Sequence, residues 1–318
     1  MPDVLVVGEL NADLILNELE SAPALGKEVL ARQMTLTMGS SSAIFACNLS
    51  SMGVPVRFAG KLGQDMLARL ILDSLSERGV DTRYIMQSNH WQTGVSVATC
   101  TADDRTMVTY PGAMEELTEA DITDEMLQSA SHLHLSSIFL QPGLRPGIVR
   151  LFSRAKALGM TTSLDPQFDP AEKWDLPLAE LLPLVDVFLP NRSEIQGFSR
   201  KFELHDAIRD IAPMANYLVV KDGDKGAWMQ FGDELHFHQA FRNEQVADVI
   251  GAGDSFDAGF IARFIRGEQP RECLRFATLM GALNTTGAGG TAAFAGGMGA
   301  IRERAAALFK VDLETVMP

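Results

Sequence analysis

Three cysteines in 318 residues, Cys47, Cys100 and Cys273, are too few and too scattered for a disulfide framework or a metal-ligand spacing. Such a chain suits a reducing cytoplasm. Basic residues are also scarce. Lys and Arg number 27 against 41 Asp and Glu, a net charge of −14. That balance argues against the clustered positive footprint of a nucleic-acid binder. It leaves nucleotide binding open, because backbone N–H groups can hold phosphates. No apolar run approaches the roughly 20 residues of a membrane span, so no membrane partner is expected. No basic segment precedes the apolar start, and no internal repeat or low-complexity tract is visible.

What is present is a 46% hydrophobic chain, ample for a sizeable core. Short apolar runs at 4–7, 56–59, 132–135, 161–164, 185–189 and 217–220 alternate with helical patterns at 44–52, 67–78, 147–158, 206–214, 255–266 and 272–283. The alternation predicts a mostly parallel sheet with helices on both faces. Gly53, Gly79, Gly159 and Gly267 follow four of the helical stretches, as C-terminal caps would. Two segments, about 14–36 and 94–110, instead alternate with period two and contain no helix pattern. They read as a small β-sheet lid within one 1–318 domain. The alternative is extra edge strands on the main sheet. Residues 106–110, after Asp103-Asp104-Arg105, read as the return strand of a hairpin.

The densest signal is Gly251-Ala252-Gly253-Asp254. A glycine-rich turn runs into a pattern that places Phe256, Phe260, Ile261 and Phe264 on one helix face. Glycines let backbone N–H groups approach a ligand closely, and a helix N-terminus favours an anion such as phosphate. A carboxylate has no reason to line a bare phosphate pocket. Asp254 has one if it takes a proton from a hydroxyl attacking that phosphate. The plainer alternative is an Asp N-cap after a tight turn. A β-branched residue at Gly253 is expected to crowd the N–H groups and to resist φ > 0.

Other polar residues collect just past the predicted strand ends: Asn11 and Asp13, Asp165, Asn191 and Glu194, then Lys221, Asp222 and Gly223. Ligands in open α/β sheets bind outside the carboxyl ends of the strands.

Together these residues resemble the ribokinase-like (PfkB) carbohydrate kinases. Asp248 to Asp254 look like the family's D-T-x-G-A-G-D signature, and Gly60, Gly63 and Asp65 like its G-x-x-G-x-D signature. Asn191-Arg-Ser-Glu194 matches N-x-x-E, and Lys221 to Ala227 resemble the T-x-G-x-x-G-A nucleotide loop. The resemblance implies a three-layer α/β/α sandwich with a β-sheet lid. It also implies ATP-dependent phosphorylation of a hydroxymethyl group on a sugar or sugar-like molecule. On that pattern Asp254 is the base, and Gly251, Ala252 and Gly253 form the anion hole. Asn191, Lys221, Gly223, Gly226 and Thr278 lie along the nucleotide. Glu194 and Asn191 order Mg²⁺ through water, and carbonyls near Ile250 and Gly287 to Gly290 hold a monovalent cation such as K⁺. Asn11, Asp13, Gly39, Ser40, Ser41 and Ile44 form the substrate site. Family members often form dimers through lid strands.

The chain departs from the family at several positions. Ser40 replaces a glycine and Ile44 an asparagine that contacts sugar; Gln167 replaces the Asn of D-P-N, Lys221 replaces a Thr, and Ala68 a glycine. Ile44 predicts a more apolar pocket wall, with a sugar acid, a ketose or a nucleoside accepted better than ribose. Lys221 either reaches a phosphate or is a solvated surface residue. A nucleoside kinase and a ligand-binding protein that has lost turnover are the alternative functions. A dehydrogenase is excluded because position 256, where a third glycine is needed, is Phe. His132 and His134 share a strand face without a third ligand nearby, so a packed, hydrogen-bonded pair is expected.

Overall fold

The computed structural model describes residues 3–101, 105–244 and 246–313. In chain order the strands among them are β1 Val4–Val7, β2 Asn11–Asn17, β3 Gln33–Met38, β4 Val56–Leu62, β5 Asp81–Gln87, β6 Gly94–Cys100 and β7 Arg105–Tyr110. They continue as β8 His132–Ser136, β9 Thr161–Asp165, β10 Val187–Phe188, β11 Tyr217–Lys221, β12 Gly226–Phe231 and β13 Glu234–Gln239. Nine form one sheet in the order β13-β12-β11-β10-β9-β8-β1-β4-β5. Its pairings are parallel except at β11–β12 and β12–β13.

The side-chain period of two explains why the strands read as continuous apolar runs. Val4 and Val6 enter one core with helices Ser41–Ser51, Ala252–Phe264 and Pro270–Asn284. Leu5 and Val7 enter a second core with helices Ile148–Ala157 and Leu204–Ile211. Two cores on opposite faces of one sheet make the expected α/β/α layers. Gly53, Gly79, Gly159 and Gly267 all adopt positive φ, as caps require. The 185–189 run yields only a two-residue strand, and β5, β12 and β13 were not anticipated.

The lid is a separate sheet in the order β3-β2-β6-β7, not an extension of the main one. It is mixed: β2 runs parallel to β6, while β2–β3 and β6–β7 are antiparallel. Residues 103–104 of the anticipated hairpin tip lie outside the described residues. Register puts Thr37, Asp13, Ser96 and Thr109 in one cross-strand row. The adjacent row, Leu36, Leu14, Val97 and Val108, falls on the opposite face.

His132 and His134 form the expected packed pair. His132 meets the hydroxyls of Thr161 and Ser163 at 2.8 Å, and His134 meets Ser163 at 2.8 Å and stacks on Phe45. Burial pushes His132 down to about 3 and His134 in the same direction, so both are neutral.

Candidate active site

The glycine turn starts helix Ala252–Phe264, with Gly251 as N-cap at φ 74°. A Cβ at Gly251 would sit 2.7 Å from Gly290 Cα and 3.0 Å from Ile44 Cγ2. The position therefore excludes other residues twice over, by conformation and by space. Gly253 differs from the sequence expectation. Its φ is not positive, and a Cβ there would meet only the Lys221 side chain at 3.8 Å. The positive-φ argument belongs to Gly251, the residue that turns the chain into the helix.

Asp254 lies in the first helical turn and is buried. Burial, then the Asp165 carboxylate, pushes its carboxyl up to about 8, against the pull of Lys221 and a Ser41 hydroxyl. Gln167 Nε2 donates to Asp254 Oδ1 at 3.0 Å and to Asp165 Oδ2 at 2.7 Å.

Lys221 ends β11 and is not the solvated surface residue of the second alternative. Its Nζ is buried, 2.9 Å from Asp165 Oδ2 and 2.9 Å from Asp257 Oδ2. Burial alone would depress this amine, but the two carboxylates outweigh burial and hold it above its ordinary range. Asp257 lies one helical turn beyond Asp254; burial drives its carboxyl upward while Lys221 opposes. A Cβ on Gly253 would reach Lys221, so this cation sits directly under the turn.

Asn191 and Glu194 form a capping box at the start of helix Arg192–Ser199. Glu194 Oε2 accepts from Asn191 N at 2.8 Å, and Glu194 N donates to Asn191 Oδ1 at 3.0 Å. Both side chains thus have a structural task. The remaining lone pairs of the Glu194 carboxylate are hard donors suited to a water-bearing Mg²⁺. Among the described residues no group of three or more His, Cys, Asp or Glu side chains is arranged to hold a metal directly.

The residues expected to bind substrate also converge. Asn11 Nδ2 donates to Asp13 Oδ1 at 2.9 Å and to Ser96 Oγ at 3.2 Å. A Cβ at Gly39 would lie 2.2 Å from Asp13 Oδ1, so Gly39 makes room for the carboxylate. Ser40 caps helix Ser41–Ser51 through Ala43 N at 2.9 Å and donates to Glu9 O at 2.7 Å. Ile44 packs beneath the glycine turn against Gly251 and Gly290. Ile44 thus meets the turn glycine Gly251 and Gly290 of the loop after helix Pro270–Asn284.

Among the residues expected along the nucleotide, Gly226 has φ 127° and a Cβ there would meet His238 O at 2.0 Å. Thr278 Oγ1 lies 2.9 Å from His238 Nδ1, so Gly226 and Thr278 share one neighbour. Gly223, at φ 58°, faces open space.

Sequence reasoning did not single out Glu9, Asp257 or His238. Glu9 is buried just past β1, with its Oε1 3.3 Å from Ser42 N and its Oε2 on Ser42 Oγ. Its place past a strand end was the available signal. For Asp257 the signal was an acid three residues after Asp254 on one helix. Nothing in the sequence marks His238.

The layers, strand order and lid define a ribokinase-like fold. The pfkB family carbohydrate kinase model matches residues 1–295, and the chain belongs to that family. A ribokinase of Arabidopsis thaliana is 28% identical over 295 residues, covering 89% of this chain and 76% of the relative. A 2-dehydro-3-deoxygluconokinase of Bacillus subtilis is 27% identical over 257 residues, covering 77% of this chain and 79% of the relative. A solved Arabidopsis thaliana ribokinase complexed with ribose and ATP superposes with a TM-score of 0.80 at 26% identity, covering 91% of this chain and 94% of that one.

Proposed function

We propose that this kinase transfers the terminal phosphoryl group of ATP to a hydroxymethyl group of a neutral, polyhydroxylated sugar or sugar-like molecule. The observation that carries the reading is Asp254, a buried carboxylate in the first turn of a helix whose N-cap is the left-handed Gly251. Asp254 takes the acceptor hydroxyl's proton, and the N–H groups of the turn at Gly251, Ala252 and Gly253 stabilise charge on the moving phosphoryl group. Family likeness and the nucleotide-bound relative support ATP along Gly223, Gly226 and Thr278. Mg²⁺, when bound, neutralises phosphate charge; Asn191 and Glu194 fit it through water.

The acceptor side favours hydroxyl donors. Asp13, Asp165 and Asp254 are all carboxylates, and Lys221 is already engaged by two of its neighbours. A carboxylate substrate would meet like charge there. Within the earlier expectation, a ketose or a nucleoside therefore fits better than a sugar acid.

ADP formation over a panel of ribose, ketoses, nucleosides and sugar acids tests this reading. Asp13→Ala should raise KM for the accepted sugar and lower kcat/KM, with KM for ATP unchanged, because sugar hydroxyls lose their partner. No ADP formation with any acceptor would favour a binding protein on this fold. An unchanged panel in Asp13→Ala would remove the sugar site from β2.

A further inference from the structure

The loop after β9 carries a group that neither the anion hole nor the substrate site accounts for. Gln167 Nε2 stands between two buried carboxylates, 2.7 Å from Asp165 Oδ2 and 3.0 Å from Asp254 Oδ1. An amide nitrogen has two hydrogens, one for each acid. With both acids ionised, as a base requires, a flipped amide would aim its oxygen at two carboxylate oxygens with no donor between them.

The loop is built to hold this pose. Gln167 adopts φ 59°, a left-handed conformation unusual for its residue type. Its backbone N–H donates to Asp165 Oδ1 at 3.3 Å. Beyond it, the buried Asp169 accepts from the backbone N–H groups of Ala171 at 2.9 Å, Lys173 at 2.8 Å and Trp174 at 2.7 Å. Trp174 then docks edge-on against Phe139 and Phe198. Asp165, the other anchor, is pinned by Lys221 at 2.9 Å.

We propose that Gln167 is a positioning residue for phosphoryl transfer: its amide ties the Asp254 carboxylate to the fixed Asp165 and leaves the base's remaining lone pairs aimed at the acceptor hydroxyl. The inference rests on Asp254 being the base. Five further charged groups surround that base: Asp165 from β9, Lys221 from β11, Glu9 past β1, Glu194 from helix Arg192–Ser199, and Asp257 on its own helix beyond Lys221. Four are carboxylates, and Asp165, Glu9 and Glu194 work against ionisation of Asp254. A neutral donor on its oxygen favours the charged form without adding charge.

The test is the pH dependence of kcat and kcat/KM for wild type, Gln167→Gly, Gln167→Glu and Asp254→Asn. Gln167→Gly suits the left-handed backbone, so it removes the amide without burdening the fold. It should lower kcat by about 10- to 100-fold and move the acid limb up by roughly one pH unit, the worth of a hydrogen bond to a charged group. KM for ATP should stay unchanged. Gln167→Glu should move the limb further in the same direction by adding a carboxylate. Profiles of Gln167→Gly that superimpose on wild type, beside an inactive Asp254→Asn, would overturn the positioning role alone. Wild-type turnover in Asp254→Asn would instead overturn the base on which it rests.

Discussion

At the scale of single residues, the site depends on where glycine is compulsory. Gly251 turns the chain at φ 74° with Gly290 Cα 2.7 Å from any Cβ it carried, whereas Gly253 has ordinary backbone and room on the protein side. Gly251→Ala should therefore destabilise the fold by about 1–3 kcal/mol and weaken ATP binding. Gly253→Ala should leave the melting temperature near wild type. Thermal melts and ATP titration of the two variants check the contrast, and equal effects would contradict it. The sequence showed both glycines as one motif. It could not show which of them carries the strained conformation, because that depends on Ile44 and Gly290, distant in the chain. Asp254 could be proposed as a base from the sequence because its place beside a glycine turn is local. Its perturbed proton affinity was not, since it comes from burial and from Asp165, 89 positions earlier in the chain.

At the scale of elements, the carboxyl ends of the parallel strands collect buried polar groups such as Asp165 and Lys221, and this was legible from apolar runs followed by polar residues. Strands such as Asp81–Gln87, half-buried at the sheet edge, and the hairpin Gly226–Phe231 with Glu234–Gln239 carry no continuous apolar run and were missed. The partners of Lys221 were equally hidden, 56 and 36 residues away. This lysine is the only cation paired with Asp165 and Asp257 among the described ion pairs. Lys221→Met should cost about 3–5 kcal/mol, because it strands buried carboxylates. Adding Asp257→Leu to that variant should restore part of the loss, since one orphaned charge then disappears. Urea denaturation of the two single variants and the double variant measures the coupling. Strict additivity would show that this ion pair is not what ties the end of β11 to helix Ala252–Phe264.

At the scale of the whole molecule, one sheet separates two cores, and a second sheet stands over its carboxyl end. The lid has two unlike faces. One presents the row of Thr37, Asp13, Ser96 and Thr109, with Ser96 and Thr109 hydroxyls 2.9 Å apart. The other presents Leu36, Leu14, Val97 and Val108, with Val108 72% and neighbouring Met34 68% exposed. An apolar sheet face with open edges favours pairing with a second copy. Sedimentation at micromolar concentration should show a dimer, and Val108→Lys should shift it toward monomer; a wild-type monomer would contradict the pairing without touching the chemistry. The central claim is that a buried acid at a helix-start anion site drives phosphoryl transfer to a sugar hydroxyl. Its most direct measurement is kcat for Asp254→Asn with the best acceptor and saturating Mg²⁺-ATP. The expected result is a fall of about 10²–10⁴-fold with ATP affinity preserved; turnover near the wild-type rate would contradict it.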